Sequence, residues 1–435
     1  MKRFLYKFEV GKFDGLKGIF RSLRYRNYRL FFSGQSLSLI GTWVQRIAIP
    51  WLVYRLTGSA FLLGFVGFAG QIPTFILAPF AGVLTDRLNR YHIMIVSQIL
   101  SMIQALALAL LFFTNTIEVW NVLLLSVIQG CINAFDTPAR QSFVIEMVED
   151  KNDIGNAVAL NSSMFNGARL VGPSIAGVLI ASLGEGACFL INGISYIFVV
   201  ISLLLMKVKP QEKKKTKDTN IIKEFKEGFT YTFGFPPIRS IIILLTLISL
   251  MGMPFSVLMP IFAKDIFHGG SHIFGFLMGA SGVGALIGAA YLASRKSVVG
   301  LDKLIPLAAV VFGLGLVCFS LSSSFPLSII LMIITGVGMM MQTACSNTIL
   351  QTISDNDKRG RVMSFYTMAF MGTAPIGSFL AGSMASMIGA PATLLIGGIA
   401  CVIGALIFAQ KLPSFIKLVR PIYIQLGIID NAANK

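Results

Sequence analysis

Charge is what this sequence has least of. Only 13% of its 435 residues are Asp, Glu, Lys or Arg, against 55% hydrophobic, and the mean hydropathy is +0.77. A soluble domain could not cover its surface with so few charges, so a water-soluble fold is excluded and an integral membrane protein is expected. Acidic residues are the scarcer sign, 19 against 36 basic, for a net charge of +17. The basic excess sits in short loops between apolar runs. That pattern faces an anionic cytoplasmic leaflet and does not point to nucleic acid. Cys131, Cys188, Cys318, Cys345 and Cys401 lie singly in apolar runs, with neither disulfide nor metal-ligand spacing, so no metal and no cofactor are expected. A Walker A sequence is missing, which argues against ATP hydrolysis, and the chain is read as no enzyme. The basic first thirty residues lack a short apolar block with a small-residue cleavage site, so no cleavable signal peptide is expected. The alternating pattern of an outer-membrane barrel is absent too.

What is present is a series of apolar runs near the twenty residues that cross a bilayer core of about 30 Å. They fall at about 30–54, 61–84, 91–113, 119–139, 157–182 and 187–206, then 239–262, 273–294, 303–322, 326–348, 363–388 and 391–410. In lipid the backbone must satisfy itself, so each is expected to be a helix. This gives five segments: a basic interfacial stretch 1–29, a six-helix bundle 30–206, a polar linker 207–238, a second bundle 239–410 and a surface tail 411–435. Within the linker, IIKEFKEGFTYTF predicts an amphipathic surface helix. The basic loops all fall on one side, which places both termini in the cytoplasm. Trp51 and Trp120 fall near the outer ends, where interfacial aromatics belong.

The two bundles look duplicated. Residues 155–184 shifted by 205 positions meet 360–389, setting Gly155 on Gly360, Gly167 on Gly372, Gly172 on Gly377, Gly177 on Gly382 and Gly184 on Gly389. A glycine ladder held in one register indicates pseudo-symmetric halves. Small residues let helices approach closely. Gly167, Gly172, Pro173 and Gly177, with Gly377 and Gly382, are therefore the candidate packing positions.

Between spans 2 and 3 lies Gly82-Val83-Leu84-Thr85-Asp86-Arg87-Leu88-Asn89-Arg90. This stretch resembles the loop signature of the major facilitator superfamily, with Asn89 in place of a second glycine; Asn is the next-best residue for a left-handed turn. The resemblance covers about residues 20–410 and is strongest to the enterobactin-exporter and macrolide-efflux branch. It also rests on Arg169 with Gly172-Pro173 in span 5, and on Leu350-Gln351-Thr352 with Arg359-Gly360-Arg361 after span 10. It implies about twelve transmembrane helices in two pseudo-symmetric six-helix bundles, and a monomer in the inner membrane. It further implies alternating-access export of a siderophore-like or drug-like small molecule, with protons as the coupling ion. A lipid or lysolipid flippase and a non-transporting sensor or assembly factor are the alternatives.

The resemblance also suggests a latch of Gly82, Asp86, Arg87 and Arg90, joined by Asp136 and Arg140, which stand one helical turn apart if Pro138 does not end span 4. Ordinary loop charge and a helix-end salt bridge are the plainer readings. The family's fourth-span arginine is replaced by Ser126, and Asp136 reads as lying near the inner face, so no residue establishes proton coupling. Two arginines, Arg46 and Arg169, lie inside spans, at about 2.5–3.5 kcal/mol each at a helix centre. Either they pair with backbone carbonyls, or one faces a central cavity and draws an anionic or oxygen-rich substrate. Gln45, Gln129, Asn133, Asn161, Gln342 and Tyr366 complete the candidate cavity.

Overall fold

The computed structural model describes residues 20–207, 221–295, 297–355 and 357–429, and the backbone alone of Pro79, Gly82, Val83, Asp86, Arg87, Lys151 and residues 221–225. Within these residues every regular element is helical. Ten helices are long and apolar enough to cross a membrane. One of them, Ile154–Leu204, has 51 residues. At about 1.5 Å per residue it would run to ~75 Å, far beyond one bilayer core. It breaks at Gly184, whose φ of 79° and ψ of 172° are open only to glycine. The halves of that hairpin are α5 (154–183) and α6 (185–204). A further helix, Arg26–Thr57, is too polar for the count of ten, yet packs along α5 and α6.

Among the described residues this gives twelve helices of spanning length. The first half has α1 (Arg26–Thr57), α2 (Ala60–Arg87), α3 (Arg90–Phe113), α4 (Val119–Glu146), α5 and α6. A surface helix α7 (Ile221–Gly234) follows. The second half has α8 (Pro236–Ile266), α9 (Ser271–Ser294), α10 (Leu301–Ser320), α11 (Phe325–Ile353), α12 (Arg359–Ile388) and α13 (Ala390–Gln410). A last amphipathic helix, α14 (Leu412–Gln425), buries Phe415, Val419 and Tyr423. An even number of helices of spanning length brings the first and last described residues to one face, called here the terminal face, with the far face opposite. The turn between α12 and α13 is again a glycine, Gly389, at φ 83°. It lies 205 positions after Gly184, so the duplication extends to the backbone angles.

Local signals set the helix ends. Gly58, at φ 60°, closes α1, and the Ser59 hydroxyl accepts from the Leu62 amide to start α2. Asn89 does the same for α3, accepting from the Tyr91 amide at 3.0 Å with φ −72°. It is an N-cap in extended backbone, not the left-handed turn residue its place in the loop signature implies. Pro138 does not end α4, which continues to Glu146. The helices overrun the apolar runs at both ends, α1 from Arg26 and α8 from Pro236, so the linker is shorter than 207–238. Residues 1–19, 208–220 and 430–435, most of the basic interfacial stretch, part of the linker and the tail end, lie outside the described residues.

The halves meet chiefly through two helix pairs, α5 on α9 and α2 on α12. At each crossing glycine faces glycine. A Cβ on Gly177 would lie 2.8 Å from the Gly275 Cα, and one on Gly382 would lie 2.7 Å from the Gly64 Cα. Ser271 Oγ donates to the Gly177 carbonyl at 3.2 Å. All four glycines sit toward the far face. Trp51 stacks on Phe274 there, with ring centres 6.2 Å apart, and Phe379 packs against Phe61, Phe65 and Phe68. Trp51 is thus buried between the halves and is no interfacial anchor, whereas Trp120 is 70% exposed. Tyr54 donates to Asp265 across the same seam. Among the described residues, every hydrogen bond and ring pair between the halves lies between the far face and mid-span.

On the terminal face, short segments brace each half. Asp153, at the foot of α5, is held by Arg21, by Arg24 at 2.7 Å and by the Tyr25 hydroxyl at 2.8 Å. Helix α7 forms where the amphipathic pattern predicts it and straps the foot of α12. Glu227 pairs with Arg361 at 2.8 Å, and Phe229 and Phe233 pack on Phe365.

Replacing Gly177 and Gly382 together by Leu is expected to part the far ends. Spin labels at Ser182 and His272 would then move apart by several ångströms, as read by pulsed electron resonance. An unchanged distance distribution would show that the glycine crossings do not hold the seam.

Candidate functional site

Among the described residues no hydrogen bond or ring pair joins the halves on the terminal side of mid-span, and the space there between α1, α5 and α11 is called the cleft. Its landmark is an arginine over an indole. Arg46 sits 4.9 Å from the centre of the Trp43 ring, one helical turn earlier on α1. Trp43 in turn needs Gly172, because a Cβ there would lie 2.4 Å from the Trp43 Cβ. So Gly172 is a packing residue, and what it admits is the platform under Arg46. Arg169 lies one turn before Gly172 on α5. Its guanidinium reaches the second half, 3.9 Å from the Met339 sulfur of α11. Arg46 is exposed although it stands two-thirds of the way along its span. Trp43 beneath it packs inward on Gly172 of α5, so Arg46 stands on the face of α1 turned to α5. Among the described residues neither Arg46 nor Arg169 has an acidic partner.

The other predicted cavity residues divide. Gln45 is buried and committed to the interior of the first half, donating to Gln104 at 3.0 Å and accepting from Asn192 at 2.8 Å. It does not border the cleft. Gln129 and Asn133 hold each other at 3.1 Å, with Ser101 at 3.2 Å from Gln129. Gln342 is wholly buried on α11 and donates to Ser346 at 3.3 Å. Tyr366 is half-buried, donates to the Thr343 carbonyl at 3.2 Å and stacks on Phe370. Asn161 is half-buried on α5, with a buried carbonyl oxygen. The structure brings Arg46 and Arg169 together and leaves most of the amides bonded within their own half.

Among the expected packing glycines, Gly177 and Gly382 make the crossings and Gly377 approaches the Leu250 carbonyl. Gly167 meets nothing within 4 Å and packs against no helix. Pro173 is buried inside an unbroken α5, and its carbonyl lies 2.7 Å from where a Gly275 Cβ would be.

The charges toward the terminal face are sorted as well. Asp136 and Arg140 pair at 3.3 Å across one turn of α4, Gln98 donates to the same carboxylate at 2.8 Å, and Arg140 lies over the Phe165 ring of α5. Asp136 is 8% exposed and ten residues, about 15 Å, short of the helix end. Arg90 pairs with Glu146. At Gly82, Asp86 and Arg87 the latch lies outside the residues whose side chains are described. Three participants are not evident from sequence. Trp43 is signalled only by its place one turn before Arg46. Gln98 and Asn192 are recognisable only once α3 and α6 are set beside α4 and α1.

The profile of the transmembrane secretion effector family matches residues 17–418. The chain is 27% identical over 392 residues to the staphyloferrin A transporter of Staphylococcus aureus, covering 87% of this chain and 95% of that one. It is 24% identical to macrolide efflux protein A of Streptococcus pyogenes, over 86% and 94% of the two chains. The fold matches a bacterial homologue of the human lysosomal transporter Spinster in an inward-facing, unoccupied conformation. The TM-score is 0.68 at 15% identity, over 91% of this chain and 98% of that one.

Removing one partner of the buried Asp136–Arg140 pair strands the other charge, at a cost of about 3–5 kcal/mol. Asp136→Ala should therefore lower the unfolding temperature in detergent clearly, and Asp136→Ala with Arg140→Leu should recover most of the loss. A double variant no more stable than the single would show that the two charges do not depend on each other.

Proposed function

We propose, for a chain that belongs to the transmembrane secretion effector family of the major facilitator superfamily, that it exports a siderophore-like or drug-like small molecule by alternating access. One observation carries the reading: a cleft holding Arg46 and Arg169 opens on the terminal side while the far side is sealed by bare backbone contact. The basic loops support a cytoplasmic terminal face, so this is the state that loads cargo from inside. Opening outward requires the Gly177–Gly275 and Gly382–Gly64 crossings and the Tyr54–Asp265 bond to part. The named relatives, a siderophore transporter and a macrolide efflux protein, support export and bracket the cargo.

Coupling to protons fits one residue. Asp136 is the single carboxylate set well inside the spans, shared between Arg140 and Gln98. A proton arriving there would release Arg140, a change that the rocking of the halves can use.

The decisive measurement is secretion. A strain lacking this protein, grown in low iron and beside a drug panel, should lose release of one compound, and plasmid-borne wild type should restore it. In proteoliposomes the purified chain should drive that compound's uptake with a proton gradient. The Arg169→Gln protein should do so about tenfold more slowly, the loss of one charge-assisted contact. A reconstituted protein that moves nothing from the panel, with no secretion defect in the strain, would sink the export reading.

A further inference from the structure

The cleft carries more positive charge than the protein neutralises. In the second half, the spans bear charged side chains only near their ends: Arg239, Lys264 and Asp265 on α8, Asp302 and Lys303 on α10, and Arg359 and Arg361 on α12. Helices α9, α11 and α13 have none. In the first half, three arginines lie well inside, Arg46, Arg140 and Arg169, against one carboxylate, Asp136. That carboxylate is spent on Arg140. Two uncompensated cations remain, in a site whose remaining walls are an indole, a thioether and amide groups. A charge kept in such surroundings without a partner is held for a partner that comes and goes.

Geometry sets the spacing of that partner. Trp43 and Gly172 touch. Arg46 lies three residues beyond Trp43 toward the far face, and Arg169 three residues before Gly172 toward the terminal face. Helices α1 and α5 run the same way, so the two Cα positions differ by six residues along the axis, about 9 Å. Arg46 lies over the indole face, and the Arg169 guanidinium lies beside the Met339 sulfur of α11. We infer that the cleft takes a small molecule bearing at least two anionic groups several ångströms apart, such as a di- or tricarboxylate, one on each arginine, with its body against Trp43. This rests on the export reading and deepens it: of the two kinds of cargo named there, an acidic chelator fits and a cationic amphiphile is repelled.

The test uses the purified full-length chain in detergent, with calorimetric titration of citrate, its neutral trimethyl ester and acetate at neutral pH. Citrate should bind the wild type. The ester should not, and acetate should compete at least about a hundredfold more weakly. Arg46→Gln and Arg169→Gln should each weaken citrate about tenfold or more at unchanged unfolding temperature, and Arg→Lys at either place should keep part of the affinity. The inference is overturned if the ester binds as well as citrate, if acetate competes equally, if citrate is indifferent to both substitutions, or if no citrate binding is found at millimolar concentration. Binding is read without transport. Citrate held by both arginines in a protein that exports nothing would end the export reading alone. Export of a neutral drug indifferent to both substitutions would end this one alone.

Discussion

Where α5 crosses α9 and α2 crosses α12, no side chain stands between the backbones. Lipid gives helices no hydrophobic reason to associate, so contact has to come from close van der Waals approach and weak polar bonds. Gly177 on Gly275 and Gly382 on Gly64 supply that approach at symmetric places, and Ser271 adds a bond to the Gly177 carbonyl. At the crossings themselves the seam is backbone on backbone, with the Trp51–Phe274 stack and the Phe379 cluster beside it. The cleft exists because these contacts stop at mid-span.

The two halves share an architecture but not a composition. In the first, a buried polar seam runs from Gln45 through Gln104 and Asn192, with Gln98 and Asp136 below it, and fixes α1, α3, α4 and α6 to one another. The second has no charge at depth and is built on phenylalanine, with Phe262 against Phe319 and Phe255 against Phe312. Its spans also contain π-helical turns, at Ile248–Gly252 and Phe262–Ile266 of α8 and at Met368–Gly372 of α12. Ser249 bonds the Phe370 carbonyl at 2.6 Å, tying the first of these turns to the third. A wider helical turn leaves carbonyls in need of donors, and this serine meets one such need.

Most of the fold was legible in the sequence because lipid leaves so few choices. Apolar length gave the spans, the glycine register gave the duplication, and the pattern of Ile221–Gly234 gave the surface strap. The site was legible in type but not in placement. Arg46 and Arg169 stand out because charge is rare in a span. Whether Gln45 faces a cavity or a neighbouring helix depends on the rotation of α1, which a nearly uniform apolar sequence does not encode. Asn89 suits a left-handed turn and an N-cap equally well, and only the course of the chain decides. Gly167 belongs to the same ladder as Gly172, yet five residues of helix turn it to open space. Pro138 does not mark the end of α4, because neighbouring helices hold the span together past it.

The register of the duplication has one more result. Shifted by 205 positions, Arg169 falls on Ala374, so the motif is copied but its charge is not. Arg46 and Arg169 both ride on the first half. On the proposed export reading, a passenger held by the pair would travel with that half, and the neutral half would have only to slide past it. One half would then grip throughout the journey while the other serves as the door.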